Sequence, residues 1–409
     1  MASSKKDSKP ARPTVADVDL LADAYRRWGY LQADIDSLNR LAPYEHPDIA
    51  EMSAVADPEA VAKWRQVYCG PIGVEFMHMT DRERCRWVAE WMETDHPLPD
   101  DRSMLESLAR SELFERFLHK RYVGSKRYSI EGVAGVIPLI ESIFDGFAEN
   151  GGELVMLAMS HRGRLNVLTN IVDVPPADIF AGMEDVDPRS VLGSGDVKYH
   201  LGATGKHTTA AGHTVEVRMA SNPSHLEVID PVMMGRVRAR QDRAGDGSRR
   251  RIIGLTLHGD AAFAGQGVVG ETLNISHLGG YDTGGTIRIV DNNLIGFTTD
   301  YPRLHTSRHS SDAAKRIPVP IVHVNGEDPR AIWRAGRFAT EYRTAFGDDV
   351  IVDFIGYRRY GHSEVEDPSI TQPLLYKIIE ERPMLWEMFA ERIGETPEGI
   401  ESLRDRIWK

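Results

Sequence analysis

The chain has 409 residues, 41% hydrophobic and 27% charged, with a formal net charge of −12. That is enough material for two or three domains, or for one large α/β domain with appendages, and the composition excludes fibrous and disordered classes. The acidic balance argues against general nucleic-acid binding, no run approaches the ~18 apolar residues of a membrane span, and Cys69 and Cys85 lack the spacing of a disulfide framework or a zinc site.

Taken in chain order, residues 1–13, MASSKKDSKPARP, are polar and have no apolar core for a signal peptide. A disordered tail and a cytoplasmic location are therefore expected. Residues 14–130 read as a helical lead-in domain. Apolar residues recur at helical spacing over Val15 to Trp28, Asp81 to Met92 and Ser103 to Phe117, and Pro43 to Pro47 and His96 to Asp101 read as the loops between helices. No strand run is expected there.

From residue 131 to 409 short apolar runs alternate with helices, the pattern of βαβ units and a mostly parallel sheet flanked by helices. The predicted strands are Glu153 to Met159, Ile252 to Leu257, Thr286 to Val290, Val319 to Val324 and Val350 to Ile355. Arg249 to Arg251 reads as a charged turn. Asp300 to Lys315 reads as a long functional or mobile loop. A crossover helix is predicted from Asp328 through Phe346, with Pro329 in its first turn.

The most informative stretch is Leu255 to Gly296. One strand ends at His258-Gly259-Asp260 and the next at Asp291-Asn292-Asn293. In a parallel sheet both ends lie at one edge, where ligands bind. Asp260 and Asn293, with a backbone carbonyl near Ile295, would suit Mg²⁺, and Gly259 lets the backbone approach a diphosphate at the start of the following helix. Either dipeptide alone is an ordinary turn. A rival reading is the dinucleotide fingerprint Gly265-x-Gly267-x-x-Gly270, but its first glycine falls five residues beyond Asp260 instead of in the tight turn after the strand.

The Gly259-Asp260 to Asn292-Asn293 segment resembles the thiamine-diphosphate motif. Further strings widen the likeness: Tyr68-Cys-Gly-Pro-Ile-Gly73, Ser160-His-Arg-Gly-Arg-Leu-Asn-Val167, Gly195-Asp-Val-Lys-Tyr-His-Leu-Gly202, Asn222-Pro-Ser-His-Leu-Glu227 and Arg358-Arg-Tyr-Gly-His362. Together they resemble the front half of the 2-oxoglutarate dehydrogenase E1 family, thiamine-diphosphate-dependent and decarboxylating. Ala261 replaces a glycine common in the wider superfamily, a departure shared with this family.

The resemblance implies a transketolase-like fold that binds thiamine diphosphate and Mg²⁺. Asp260, Asn293 and the main chain of Ile295 would hold the metal. Arg162 would face the diphosphate, and Ser224, Leu226, Ala261 and Ala262 would contact the cofactor. His200 would recognise substrate with Ser224 beside it, and His161 is the second candidate catalytic histidine. The implied reaction is oxidative decarboxylation of 2-oxoglutarate with succinyl transfer to a lipoyl group. The alternatives are 2-oxoadipate as substrate, or a catalytically silent cofactor-binding or assembly module. His225 and His258 stand between pocket lining and structural hydrogen bonding, and Arg358 to His362 between a phosphate contact and a solvated strand end.

Three departures qualify the likeness. The family's pyrimidine-binding half, with its activating glutamate, does not follow, so little activity is expected without a complementary chain. Arg26-Arg27-Trp28-Gly29-Tyr30 stands where relatives carry an arginine-rich string ending Arg-Gly-His. The segment that docks on the lipoyl-bearing acyltransferase (E2) is not recognisable in the first thirteen residues. A homodimer is expected from the family.

Overall fold

The computed structural model describes residues 19–184, 196–222 and 225–409. The tail expected over residues 1–13 lies outside them. Among the described residues, eight strands form one sheet: β1 (Ile72–Glu75), β2 (Leu154–Met159), β3 (Ala203–Thr208), β4 (Thr214–Met219), β5 (Ile252–Gly259), β6 (Thr286–Asn292), β9 (Ile321–Asn325) and β10 (Val350–Ile355). A two-residue ribbon, β7 (Ile295–Gly296) and β8 (Thr299–Asp300), lies outside that sheet.

The sheet order is β1-β9-β10-β6-β5-β2-β4-β3. The inner pairings are parallel, and β1 and β3 join the edges antiparallel. The fold is thus the α/β architecture read from the sequence. Strands β2 and β10 are buried at every position, because helices cover both faces. One covering pair is Val136–Glu149 against Pro329–Phe346. Their close approach depends on Gly336, where a Cβ would come within 2.7 Å of the Ser142 side chain. Ser142 in turn donates to the Trp333 carbonyl at 2.7 Å. The second helix starts as predicted, with the Asp328 carboxylate accepting from the Ala331 amide and Pro329 in the first turn.

The expectation that no strand interrupts residues 14–130 is corrected by β1. Its residues Ile72, Gly73, Val74 and Glu75 pair with Val324, His323, Val322 and Ile321. The run is four residues long with a glycine inside, too short to register as a strand pattern. It joins the lead-in to the sheet edge. The Asp300 to Lys315 segment also differs from an open loop, because Ser310–Arg316 folds as a 3₁₀ turn whose Ser310, Ser311 and Ala314 are buried. Arg249 to Arg251 is the turn expected.

Beside the start of β10, Asp348 binds both Arg84 and His277, the latter at 2.6 Å. Burial raises the Asp348 carboxyl, but the bonds and charges of His277 and Arg84 outweigh it and hold the group below the usual range. The bond to Asp348 raises His277. The lowered Asp348 adds stability above the ordinary carboxylate range, lost as pH falls through its folded value. The raised His277 adds stability below the ordinary histidine value, lost as pH rises through its folded value. Asp348→Asn should therefore lower the urea midpoint most between about pH 4 and 6.5, with a smaller difference on either side. Urea unfolding across that pH range checks this.

Candidate functional site

Because β2, β5, β6 and β10 run parallel, their C-terminal ends share one edge. Gly259 lies opposite Asp291, and Asn292 opposite Ile355. The residues leaving these ends converge on one cleft: Ser160, His161 and Arg162 after β2, Asp260 after β5, Asp291 and Asn293 on and after β6, and Arg358 after β10. Ala261, Ala262, Leu226 and Ile295 add apolar wall, and His362 and Phe297 also face it.

The cleft concentrates buried charge. Burial raises the Asp260 carboxyl to about 7, helped by the neighbouring charges of Asp291 and Asp353 and opposed by the Ala261 amide and Arg162. Burial likewise raises Asp291 to about 6, with Arg162 opposing. Burial lowers Arg162 itself, and Asp291 pulls the other way. His161 is pushed down to about 3 by burial and by the Arg162 charge, so it is neutral at physiological pH. Three oxygens here, Asp260 Oδ2, Asp291 Oδ1 and Asn293 Oδ1, are buried without a hydrogen-bond partner. Native proteins rarely leave such groups unpaired, and oxygens of this kind are the donors that could hold a hard cation.

The turn that presents Asn293 is strained and braced. Leu294 and Phe297 have φ of 58° and 55°, in the left-handed region that side chains disfavour. Arg40, from the lead-in, donates to the Asn293 carbonyl at 2.9 Å and to the Gly356 carbonyl at 2.6 Å while paired with Asp36. Arg358 donates to the Phe297 carbonyl at 3.0 Å. Arg162 is held by the carbonyls of Ser129 and His362 at 3.0 and 3.1 Å.

Of the residues selected from the sequence, His161, Arg162, Leu226, Asp260, Ala261, Ala262, Asn293 and Ile295 share this cleft. His200 does not line it. Its Nδ1 lies 2.9 Å from the Asn222 carbonyl. Ser224 lies outside the described residues. His258 is buried against the Glu227 carboxylate and lies 2.7 Å from the Thr256 hydroxyl, a structural role. His225 is exposed beside Gln266, 3.2 Å away. The helix after Gly259 has only six residues, Asp260–Gly265, so little macrodipole is available. Gly265 ends that helix and Gly267 opens the next, which removes the tight strand-to-helix turn a dinucleotide fingerprint needs.

Sequence reasoning passed over Asp291 as a site residue, although it stands inside the Asp-Asn-Asn string, and it missed Arg40. The acidic pair becomes visible only once the register sets Gly259 beside Asp291. Arg40 gives no local signal, since its partners lie far along the chain.

The profile of the dehydrogenase E1 component family matches residues 109–397. The chain belongs to this family. Among curated relatives, this E1 chain is 41% identical to a multifunctional 2-oxoglutarate metabolism enzyme of Mycolicibacterium vanbaalenii, over 95% of the present chain and 34% of the relative. It is 40% identical to a 2-oxoglutarate dehydrogenase E1/E2 component of Corynebacterium glutamicum, over 91% of the chain and 33% of the relative. It is also 40% identical to a 2-oxoglutarate dehydrogenase E1 component of Cupriavidus necator, over 95% and 44% respectively. The chain thus spans less than half the length of each of these relatives. Membership in the E1 family implies thiamine diphosphate as cofactor. Among the described residues no helix is long and apolar enough to cross a membrane.

The packing around the chain that leaves β10 toward Arg358 gives one stability test. Gly132 has φ of 95°, and a Cβ there would come within 2.2 Å of the Tyr357 carbonyl oxygen. The Gly132 carbonyl accepts from the Tyr357 amide at 3.1 Å, tying the strand that leads to Arg358. Gly132→Ala should cost about 2 kcal/mol or more from backbone strain and overlap. A lower urea midpoint at unchanged slope is the expected result.

Proposed function

We propose that this chain is the diphosphate- and Mg²⁺-holding part of an enzyme that oxidatively decarboxylates 2-oxoglutarate and passes the succinyl unit to a lipoyl group. The observation that carries this reading is the set of buried, unpartnered oxygens on Asp260, Asp291 and Asn293, gathered in one cleft with Arg162. Hard oxygen donors of this kind suit Mg²⁺, which takes few protein ligands and completes its shell with phosphate oxygens and water.

In this reading Asp260, Asn293 and the main-chain oxygen of Ile295 hold the ion. With a cation bound there, the Asp260 carboxylate would stay ionised against the burial that raises it. Arg162, fixed by two carbonyls, contributes positive charge toward the diphosphate, and Leu226, Ala261 and Ala262 exclude water from one side. Ser224 keeps the cofactor- and substrate-side role its motif implies. His161, held neutral, acts as a hydrogen-bonding group toward the substrate, and His200 is the second substrate-recognising histidine. When bound, thiamine diphosphate supplies the electron sink for loss of CO₂.

The substrate follows the names of the relatives, which refer to 2-oxoglutarate. The E1/E2 name of one relative supports a lipoyl-bearing acyltransferase as partner. A homodimer, and a complementary segment or chain that supplies the pyrimidine-activating glutamate, complete the proposal.

Calorimetric titration with thiamine diphosphate, with and without Mg²⁺, tests the site. Asp260→Ala should weaken Mg²⁺-dependent binding by at least about tenfold. Equal affinity in variant and wild type would remove the proposed role of this carboxylate. Turnover with a lipoyl domain and the complementary half should favour 2-oxoglutarate over 2-oxoadipate, and the reverse preference would overturn the substrate assignment.

A further inference from the structure

Side chains alternate across a sheet, so Asn292 points to the face opposite Asp291 and Asn293. On that face the register sets a row of polar groups across four strands: Glu75 on β1, His323 on β9, Asp353 on β10 and Asn292 on β6. Asn292 Nδ2 donates to Asp353 Oδ1 at 2.9 Å. His323 Nδ1 lies 2.8 Å from Asp353 Oδ2, and its Nε2 lies 2.9 Å from Glu75 Oε1. The turn at 309–316 lies over this row and brings His309 to within 3.8 Å of Asp353 Oδ2. His309, His323 and Asp353 are each fully buried.

We propose that His309, His323 and Asp353 form a buried three-ligand site for a transition-metal cation of the zinc class, with a fourth coordination position open to water. One donor atom from each lies within 4.8 Å of the others. Around a tetrahedral Zn²⁺ with bonds of about 2.0–2.1 Å, neighbouring donors stand roughly 3.4 Å apart, so the widest pair has to close by up to about 1.4 Å when an ion binds. The independent observation is His309, both of whose ring nitrogens are buried without a hydrogen-bond partner.

The surroundings have the form of an outer ligand shell. His323 Nε2 faces the Glu75 carboxylate, the arrangement that fixes a ligating imidazole with its other nitrogen toward the metal. Asp353 is held by Asn292 and by the Ser311 hydroxyl at 2.8 Å. Without an ion, His323 shares protons with two carboxylates, and that arrangement leaves His309 unexplained. With one, the ion replaces the proton between His323 and Asp353, which is released to solvent. Two imidazoles and one carboxylate favour Zn²⁺ or Co²⁺ over Mg²⁺, so this site differs in metal as well as position from the oxygen-lined cleft.

The test uses the full chain, purified without a polyhistidine tag, exposed to Zn²⁺, gel-filtered and analysed for metals. Near-stoichiometric retained zinc is expected in wild type and in Asp260→Ala, and its loss in His309→Phe, which keeps a ring in the buried position. Zinc-free wild type, or equal zinc in wild type and His309→Phe, would overturn the proposal. Should His309→Phe fail to fold, Co²⁺ titration of the wild type decides. Saturable visible bands of tetrahedral intensity support the site, and their absence refutes it.

Discussion

The structure turns on two carboxylates, Asp260 and Asp291, held side by side out of water by the parallel register of β5 and β6. Burial raises both, Asp260 to about 7 and Asp291 to about 6, and the Arg162 charge opposes the rise in each. Bringing like charges together in a buried place is unfavourable unless a cation shares them. The rest of the cleft gathers around this pair. A strained turn carries Asn293 to the same place, and Arg40 and Arg358 hold its carbonyls.

The two faces of β6 divide the polar residues between two tasks. Asp291 and Asn293 face the cleft, and Asn292 faces the buried row that runs through Asp353 and His323 to Glu75. Because Asn292 is rigidly bonded to Asp353, its neighbours on the strand inherit a fixed direction. The polar row therefore positions the cleft from behind. It also explains why β10, otherwise wholly apolar, carries an aspartate at its centre.

The central strands were legible in the sequence because strands covered on both faces must be continuously apolar, as in β2 and β10. The edge strands, and the inner strand β4 with its half-polar run, were not. β3 alternates half-buried and exposed residues with a glycine and a lysine in its run, and β1 is too short to show a period. The local part of the site was equally legible, since Gly259-Asp260 and Asn292-Asn293 are turn signals that also carry ligating groups. What escaped was whatever depends on long-range pairing. Arg40 finds its carbonyls more than 250 residues away, and His309 meets His323 only because a segment that read as a loop folds down onto the sheet.

The edge strand β1 also constrains how the chain folds. Ile72 has its pairing partner, Val324, about 250 residues downstream, so contact order is high and loop closure is entropically demanding. During synthesis the lead-in must wait for β9 to emerge before it has anything to pair with. Until then β9, once formed, presents a bare hydrogen-bonding edge, the kind of surface that recruits a second copy of the same strand. Docking of the strand Ile72–Glu75 covers that edge of β9 and leaves a much shorter one, which gives a four-residue strand an importance out of proportion to the area it buries.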